Sequence, residues 1–329
     1  MMKVKIIKNY MRREKSMKNK FKSIIMMLIV TMLAFGLVSC GEKKTEEESI
    51  NNVQETVTTY PLTITDTNGK EVVIEKEPQT VVSLGPNVTE MIYSLNKGDK
   101  LVGRTKYCDY PEQALEVQEV GTLTKPNLEL IAEIKPDLVV ASTHFTDEAQ
   151  AKLDELGIQT IVLYSEDSFD GVYNSIETLG QILNASPKAG EVVAGMKEKV
   201  AEVTKKVEGL EAPSMYYVVG FGEKDSTAGG NTFIGEMIRM ANGKNIADDS
   251  EGWSYSKEKL AEKNPEMIVL SKYYDTKVTF TTTDFYKDLD AVKNDKVYEI
   301  DENMLNRQGP RLADGLEALA KILHPEAFN

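Results

Sequence analysis

Side chains with catalytic or metal-binding capacity are few in this chain. Its 329 residues include two histidines, His144 and His324, and two cysteines, Cys40 and Cys108. That is too few for a disulfide scaffold, a four-thiolate zinc site or a histidine-rich metal centre. The sequence contains no Gly-x-Ser-x-Gly, Walker loop, Gly-x-Gly-x-x-Gly or His-Glu-x-x-His. An enzyme on this chain would need a constellation outside those familiar sets. Acidic residues outnumber basic ones 52 to 39, for a net charge of −13. A nucleic-acid binder needs basic surface to neutralise phosphates, so the balance argues against that class.

The carboxylates offer a repeated placement instead. Asn127 to Ser142 aligns without gaps on Ser256 to Ser271, with six of 16 positions identical, among them Glu129/Glu258, Pro136/Pro265 and Ser142/Ser271. Each copy has a capping residue, a short helix stopped by proline, and an apolar strand. Glu129 and Glu258 therefore occupy the first helical turn of two matching units. The helix dipole explains any one glutamate there. Its recurrence in both copies points further, to a pair of exposed anions that set register on a two-fold symmetric partner.

The elements that must position these residues alternate between strand and helix, so the chain is α/β. Leu62–Thr65 and Glu71–Ile74 flank Asn68-Gly69, a hairpin signal. Buried strands are predicted at Val81–Leu84, Leu138–Ala141, Ile161–Leu163, Tyr216–Val219 and Met267–Leu270. One helix stands apart: from Ser186-Pro187, apolar residues recur every three or four positions as far as Leu210, where Gly209 and Pro213 help to end it. The two copies of the repeat lie on either side of it. The predicted organisation is an N-terminal α/β lobe over 60–185, a linking helix over 186–211 and a C-terminal α/β lobe over 212–329.

Ahead of the lobes, residues 1–39 hold nine basic residues and one acid, followed by an uncharged, mostly apolar run from Ile24 to Val38. This run is shorter than the ~18 residues of a spanning helix and reads as an export signal. Met17 offers an alternative start. Leu37-Val38-Ser39-Cys40-Gly41 resembles a bacterial lipobox, in which Cys40 would be lipidated. Residues 40–59 then read as a lipidated cysteine and an acidic tether. The body is thus expected outside the cytoplasm, anchored to the membrane by lipid, with Cys108 a buried unpaired thiol.

Several segments together resemble the substrate-binding lipoproteins of ABC importers for vitamin B12 and iron complexes. They are Ser83-Leu-Gly-Pro-Asn-Val-Thr-Glu90, Val102 to Pro111, Val120-Gly121 through Glu129, Lys135-Pro-Asp-Leu-Val139 and Gly309-Pro-Arg311. The resemblance covers roughly Leu62 to Phe328. It implies two α/β lobes joined by one long helix, and a binding module rather than an enzyme. A corrinoid, or alternatively a ferric siderophore or haem, would lie in the cleft as transported ligand, with no permanent cofactor. The partner would be a dimeric permease with its ATPase subunits, which a monomer would engage through Glu129 and Glu258. Loops after strand ends then supply a cleft: Pro86, Asn87, Tyr107, Leu123, Thr124 and His144 from the first lobe, and Phe221, Trp253, Tyr273 and Arg307 from the second. Tyr107 and Trp253 match aromatic cleft positions of the B12-binding members, while two tryptophan positions of a familiar member fall near Leu123 and Ser142. Flat aromatic faces suit a corrin or porphyrin, and Arg307 and Arg104 suit carboxylates or amides. His144 is either a solvated loop histidine or a ligand for haem iron or the metal of a chelate. A site for bare zinc or manganese is disfavoured by the histidine count. His324 is predicted to cap the last helix.

Overall fold

The computed structural model describes residues 57–164 and 167–329. The expected leader, Cys40 and the tether as far as residue 56 lie outside the described residues. The described chain opens with an antiparallel hairpin of β1 (Leu62–Thr65) and β2 (Glu71–Ile74), paired Leu62 to Ile74 and Thr65 to Glu71. Asp66 builds its turn by accepting from the backbone N–H groups of Asn68 and Lys70. The first half continues with β3 (Val81–Leu84), α1 (Pro86–Ser94), β4 (Leu101–Arg104), α2 (Leu128–Ile134), β5 (Leu138–Ala141), α3 (Asp147–Glu155), β6 (Thr160–Val162) and α4 (Phe169–Ile182). Helix α5 (Ser186–Val207) follows. The second half holds β7 (Ser214–Val218), β8 (Asp225–Ser226), α6 (Phe233–Met240), β9 (Lys244–Asn245), β10 (Ser254–Tyr255) and α7 (Lys257–Lys263). It ends with β11 (Met267–Ser271), α8 (Thr276–Thr282), α9 (Asp290–Lys293), β12 (Val297–Ile300), α10 (Asn303–Asn306) and α11 (Leu312–Leu323).

Each half forms its own four-stranded parallel sheet, β4-β3-β5-β6 in the first and β9-β7-β11-β12 in the second. Numbered within its own half, each sheet has the strand order 2-1-3-4. The fold is therefore two α/β lobes of like topology joined by one long helix. The apolar runs behave as doubly covered strands must. Along β5, Leu138 and Val140 face the central core, while Val139 and Ala141 face the outer layer of the first lobe. Along β7, Met215 and Tyr217 face the central core, while Tyr216 and Val218 face the outer layer of the second. One apolar core thus runs from the hairpin through α5 to α11, with a smaller cluster on the far side of each sheet.

The two copies of the repeat become α2–β5 and α7–β11. Asn127 and Ser256 cap their helices by accepting from the N–H groups of Leu130 and Lys259. Both helices end on a left-handed residue, Lys135 and Asn264, and each following strand pairs with the first strand of its sheet. Edge strands β4 and β12 lie outside the sequence prediction. Each is four residues long with little alternation to betray it.

Helix α5 begins at Ser186 with Ala185 as its cap and stops at Val207, short of the expected Leu210. Glu208 already has extended backbone, and Gly209 takes φ +76°. Its 22 residues span roughly 33 Å at 1.5 Å per residue. Ala189, Val193, Met196, Val203 and Val207 form its buried stripe, packed on α4 and α11. The α4–α5 contact is close: a Cβ on Gly180 would stand 2.5 Å from the Ala189 Cβ. Gly180→Leu should therefore force the two helices apart and cost about 1–3 kcal/mol by urea denaturation. Ala189→Gly in the same chain should return part of that loss.

Candidate functional site

Both sheets reverse their winding between their first and third strands, where parallel α/β sheets open a crevice at the carboxyl ends. In the first lobe, β3 delivers Gly85, Pro86 and Asn87, and β5 delivers Ser142, Thr143 and His144. These strand ends touch closely, since a Cβ on Gly85 would lie 2.7 Å from the Ser142 Cβ. They form one wall of a cavity of about 540 Å³, within the ~300–1,000 Å³ usual for ligand pockets. Leu123 and Tyr164 extend this wall. The opposite wall comes from the second lobe: Phe233 and Ile234 at the start of α6, Trp253 before β10, and Leu305 to Gln308 around the end of α10. The second lobe's own strand ends instead line a separate recess of about 300 Å³, with Phe221, Ser271, Tyr274 and Glu302.

Of the residues proposed from sequence, Pro86, Asn87, Leu123, His144, Trp253 and Arg307 meet at the cavity. Five others do not line it. Arg104 corrects the expectation most clearly. It is 7% exposed, with Nε donating to the Ala114 carbonyl at 2.8 Å, Nη1 to that of Thr105 at 3.0 Å and Nη2 to that of Leu115 at 3.3 Å. Its guanidinium ties the segment after β4 together and does not line the cavity. Phe221 stands edge-on to Phe280 and Tyr286, packed against the outer core of the second lobe. Tyr273 donates its hydroxyl to Asp301 at 2.9 Å and accepts from Asn303 at 3.2 Å. Burial and Asp301 both raise its pKa, which keeps the phenol neutral. Thr124 is exposed beyond Leu123. Tyr107 is 54% exposed and meets Arg307 only through its backbone carbonyl, at 3.2 Å.

Ser142, Tyr164 and Asp167 were not chosen from sequence. The Ser142 hydroxyl is buried on the cavity wall with no hydrogen-bond partner among the described residues. A buried hydroxyl in that condition costs free energy until a partner arrives. Ser142 was legible as the last matched position of the repeat, and Tyr164 by the strand-end rule applied to β6. Asp167 accepts from Gln308 at 2.6 Å across the lobes, and no sequence signal marks it. His144 has left-handed backbone, φ +64°. Its Nδ1 lies 3.0 Å from Thr143 Oγ1, so Nε2 is the nitrogen left for a metal. His324 stands at the C-cap of α11, its Nε2 3.1 Å from the Asn242 carbonyl. Cys108 is fully buried against Thr105, and burial raises its thiol pKa.

Beneath the cavity the lobes meet in an ion cluster. Glu90 on α1 has a side chain 2% exposed. Arg311 of the second lobe grips it with Nε at 2.8 Å and Nη2 at 2.7 Å, and Arg307 adds Nη1 at 3.1 Å. Arg311 also stacks on Tyr110, 3.9 Å from the ring centre. Burial disfavours the charge on both guanidinium groups, but Asp109 and Glu90 beside Arg307, and Glu90 and Asp301 beside Arg311, outweigh burial and raise both pKa values. Partial burial also disfavours the charge on nearby Asp301, yet Lys272 and Tyr273 hold its pKa below the usual range. Glu90→Ala leaves two buried cations short of their anion and should lower stability by about 3–5 kcal/mol in denaturant titrations. A change below ~1 kcal/mol, the size of a surface pair, would mean that the cluster is effectively solvated.

Two like α/β lobes, a single connecting helix and one cavity walled by both define a ligand-capture protein. The comparison with known proteins agrees: residues 81–304 match the periplasmic binding protein family, and the chain belongs to it. It is 33% identical over 304 residues to the uncharacterized ABC transporter substrate-binding lipoprotein YvrC of Bacillus subtilis, covering 90% of this chain and 96% of the relative. Among solved structures, the vitamin B12 binding protein BtuF of Vibrio cholerae is 26% identical with a TM-score of 0.65, over 77% of this chain and 98% of that one. A possible iron-binding (periplasmic solute-binding) protein of Staphylococcus epidermidis is also 26% identical, with a TM-score of 0.66 over 76% and 100%.

Proposed function

We propose that this chain is the extracytoplasmic, lipid-anchored substrate-binding component of an ABC importer, and that it captures a corrinoid in the cavity between its lobes. The observation that carries the reading is the cavity itself: one space walled by both lobes, where apolar and aromatic side chains such as Leu123, Phe233 and Trp253 alternate with polar ones such as Asn87, His144 and Arg307. The kinship with a vitamin B12 binding protein supports the corrinoid, and kinship with a lipoprotein supports lipidation at Cys40. His144 favours a second reading, haem or a ferric chelate, because Nε2 of a histidine on the cavity wall can take an open metal position.

Trp253 is the chain's one tryptophan and lines the cavity. Its fluorescence and the melting temperature together report a panel of cobalamin, cobinamide, haem and ferric siderophores. A corrinoid at 100 times its dissociation constant should add about 2.7 kcal/mol to stability. Stabilisation by haem or a siderophore, with corrinoids inert, would transfer the assignment to the second reading. If the ring stacks on the ligand, Trp253→Ala should weaken binding by on the order of 1–3 kcal/mol.

Delivery is assigned to Glu129 and Glu258, docked on paired basic pockets of a dimeric permease with its ATPase subunits. Both carboxylates are exposed, and each stands two residues beyond its helix cap in the matched units α2–β5 and α7–β11. Interfacial ion pairs couple by ~1.5 kcal/mol or more where water is excluded. The double variant Glu129→Ala/Glu258→Ala should therefore impair uptake in permease vesicles more than either single variant, with ligand affinity in solution unchanged. Normal uptake by the double variant would reduce both residues to helix-dipole partners.

A further inference from the structure

Arg307 is a cation of the cavity wall, and its guanidinium is already engaged. Nη1 donates to Glu90 Oε1 at 3.1 Å and to Asp109 Oδ1 at 2.7 Å, and Nη2 donates to the Tyr107 carbonyl at 3.2 Å. The two carboxylates differ in kind. Glu90 is buried and gripped by Arg311 through two hydrogen bonds, so its charge is matched without Arg307. Asp109 has a side chain 52% exposed, against 10% for Arg307. A pair with one partner half in water is worth only ~0–1 kcal/mol, because water competes for the carboxylate. An oxyanion held inside a cavity makes stronger charge-assisted bonds to the same guanidinium.

The local charges fit an exchange of one anion for another. Arg307 and Arg311 balance Glu90 and Asp109, while Asp301 has Lys272 at 3.1 Å and a longer approach from Arg311 at 3.8 Å. If Asp109 turns out to solvent, one positive charge is uncovered on a residue of the cavity wall, and the Nη1 N–H that it held is freed. We propose that Asp109 is an internal stand-in for an oxyanion group of the ligand. It neutralises Arg307 while the cavity is empty and yields it to a carboxylate or phosphate on the incoming molecule. Asp109 thereby sets the preference of the cavity between anionic and neutral chelates. The inference rests on the cavity being the ligand site and names the ligand chemistry at its Arg307 edge.

Inorganic pyrophosphate tests the exchange without any chelate, with Trp253 fluorescence and melting temperature as readouts on the wild type, Asp109→Asn, Arg307→Gln and the double variant. Asp109→Asn should bind pyrophosphate up to about fivefold more tightly than the wild type, the scale of losing a competing, partly exposed ion pair. The gain should vanish in the Arg307→Gln background. Arg307→Lys, which keeps the charge on Glu90 but loses the fork, should retain only part of it. An Asp109→Asn variant no tighter than wild type would overturn the proposal. So would a gain that survives without Arg307, since that would be a long-range charge effect. The same variants are then titrated with three chelates. Haem carries two propionates, cobalamin a phosphodiester and cobinamide neither. Asp109→Asn should tighten an anionic chelate that binds and leave cobinamide unchanged. Equal tightening of cobinamide would overturn the proposal. Failure of every chelate, with the pyrophosphate gain intact, would sink the functional reading and leave the oxyanion subsite standing. Chelate binding indifferent to Asp109 would do the reverse.

Discussion

The cavity depends on one buried carboxylate. Only α5 links the lobes covalently, and a single helix sets their spacing at one edge. Glu90 supplies a fixed point beneath the ligand space, where an acid of the first lobe is held by two arginines of the second. Such clusters add little net stability, because desolvating the charges offsets most of their attraction. They are geometrically demanding, however. A carboxylate bound bidentately tolerates little sliding or rotation before hydrogen bonds break. The turn at Gly309 lies against the Asn87 backbone, within 3.6 Å of a Cβ placed there, so the clamp also fixes how closely the two cavity walls approach.

The elements were legible in the sequence wherever a local rule sufficed. The repeat exposed two matching helix–strand units because caps and prolines act within a few residues. The buried strands were legible because both their faces are covered, which leaves continuous apolar runs. Side-chain direction was not legible. Arg104 and Arg307 each close a short element next to a loop, and composition treats them alike. Arg104 turns inward because three backbone carbonyls converge on it, and those carbonyls belong to a loop whose path no local pattern predicts. Glu90 escaped for a related reason. An acid within an apolar helix face signals a buried partner, but that partner lies more than 200 residues away. Phe221 and Tyr273 were misplaced by symmetry. The two sheets share a strand order, yet only the first lobe presents its strand ends to the shared cavity.

That asymmetry divides the labour. The first lobe offers a floor of small and polar groups, Ser142, Thr143 and Asn87, at a crevice dictated by sheet topology. The second lobe closes over it with Trp253, Phe233 and Leu305. Polar groups fixed in place favour selectivity over raw affinity, since the unpartnered Ser142 hydroxyl favours a ligand that can meet it over one that cannot.

The wide separation along the chain of Glu90 from its partners also orders events in time. Each sheet is built from contiguous sequence, so the contacts within a lobe close short loops and form early. The chain leaves the ribosome amino end first, and the first lobe has all its strands before the second has any. Glu90 waits through 217 residues for Arg307 and 221 for Arg311. Until the segment from Arg307 to Arg311 arrives, Glu90 is a solvated acid with neither arginine to hold it. Completion of the carboxyl terminus is then the step that makes the cavity, and a chain cut short before Arg307 would lack both the clamp and part of the second wall.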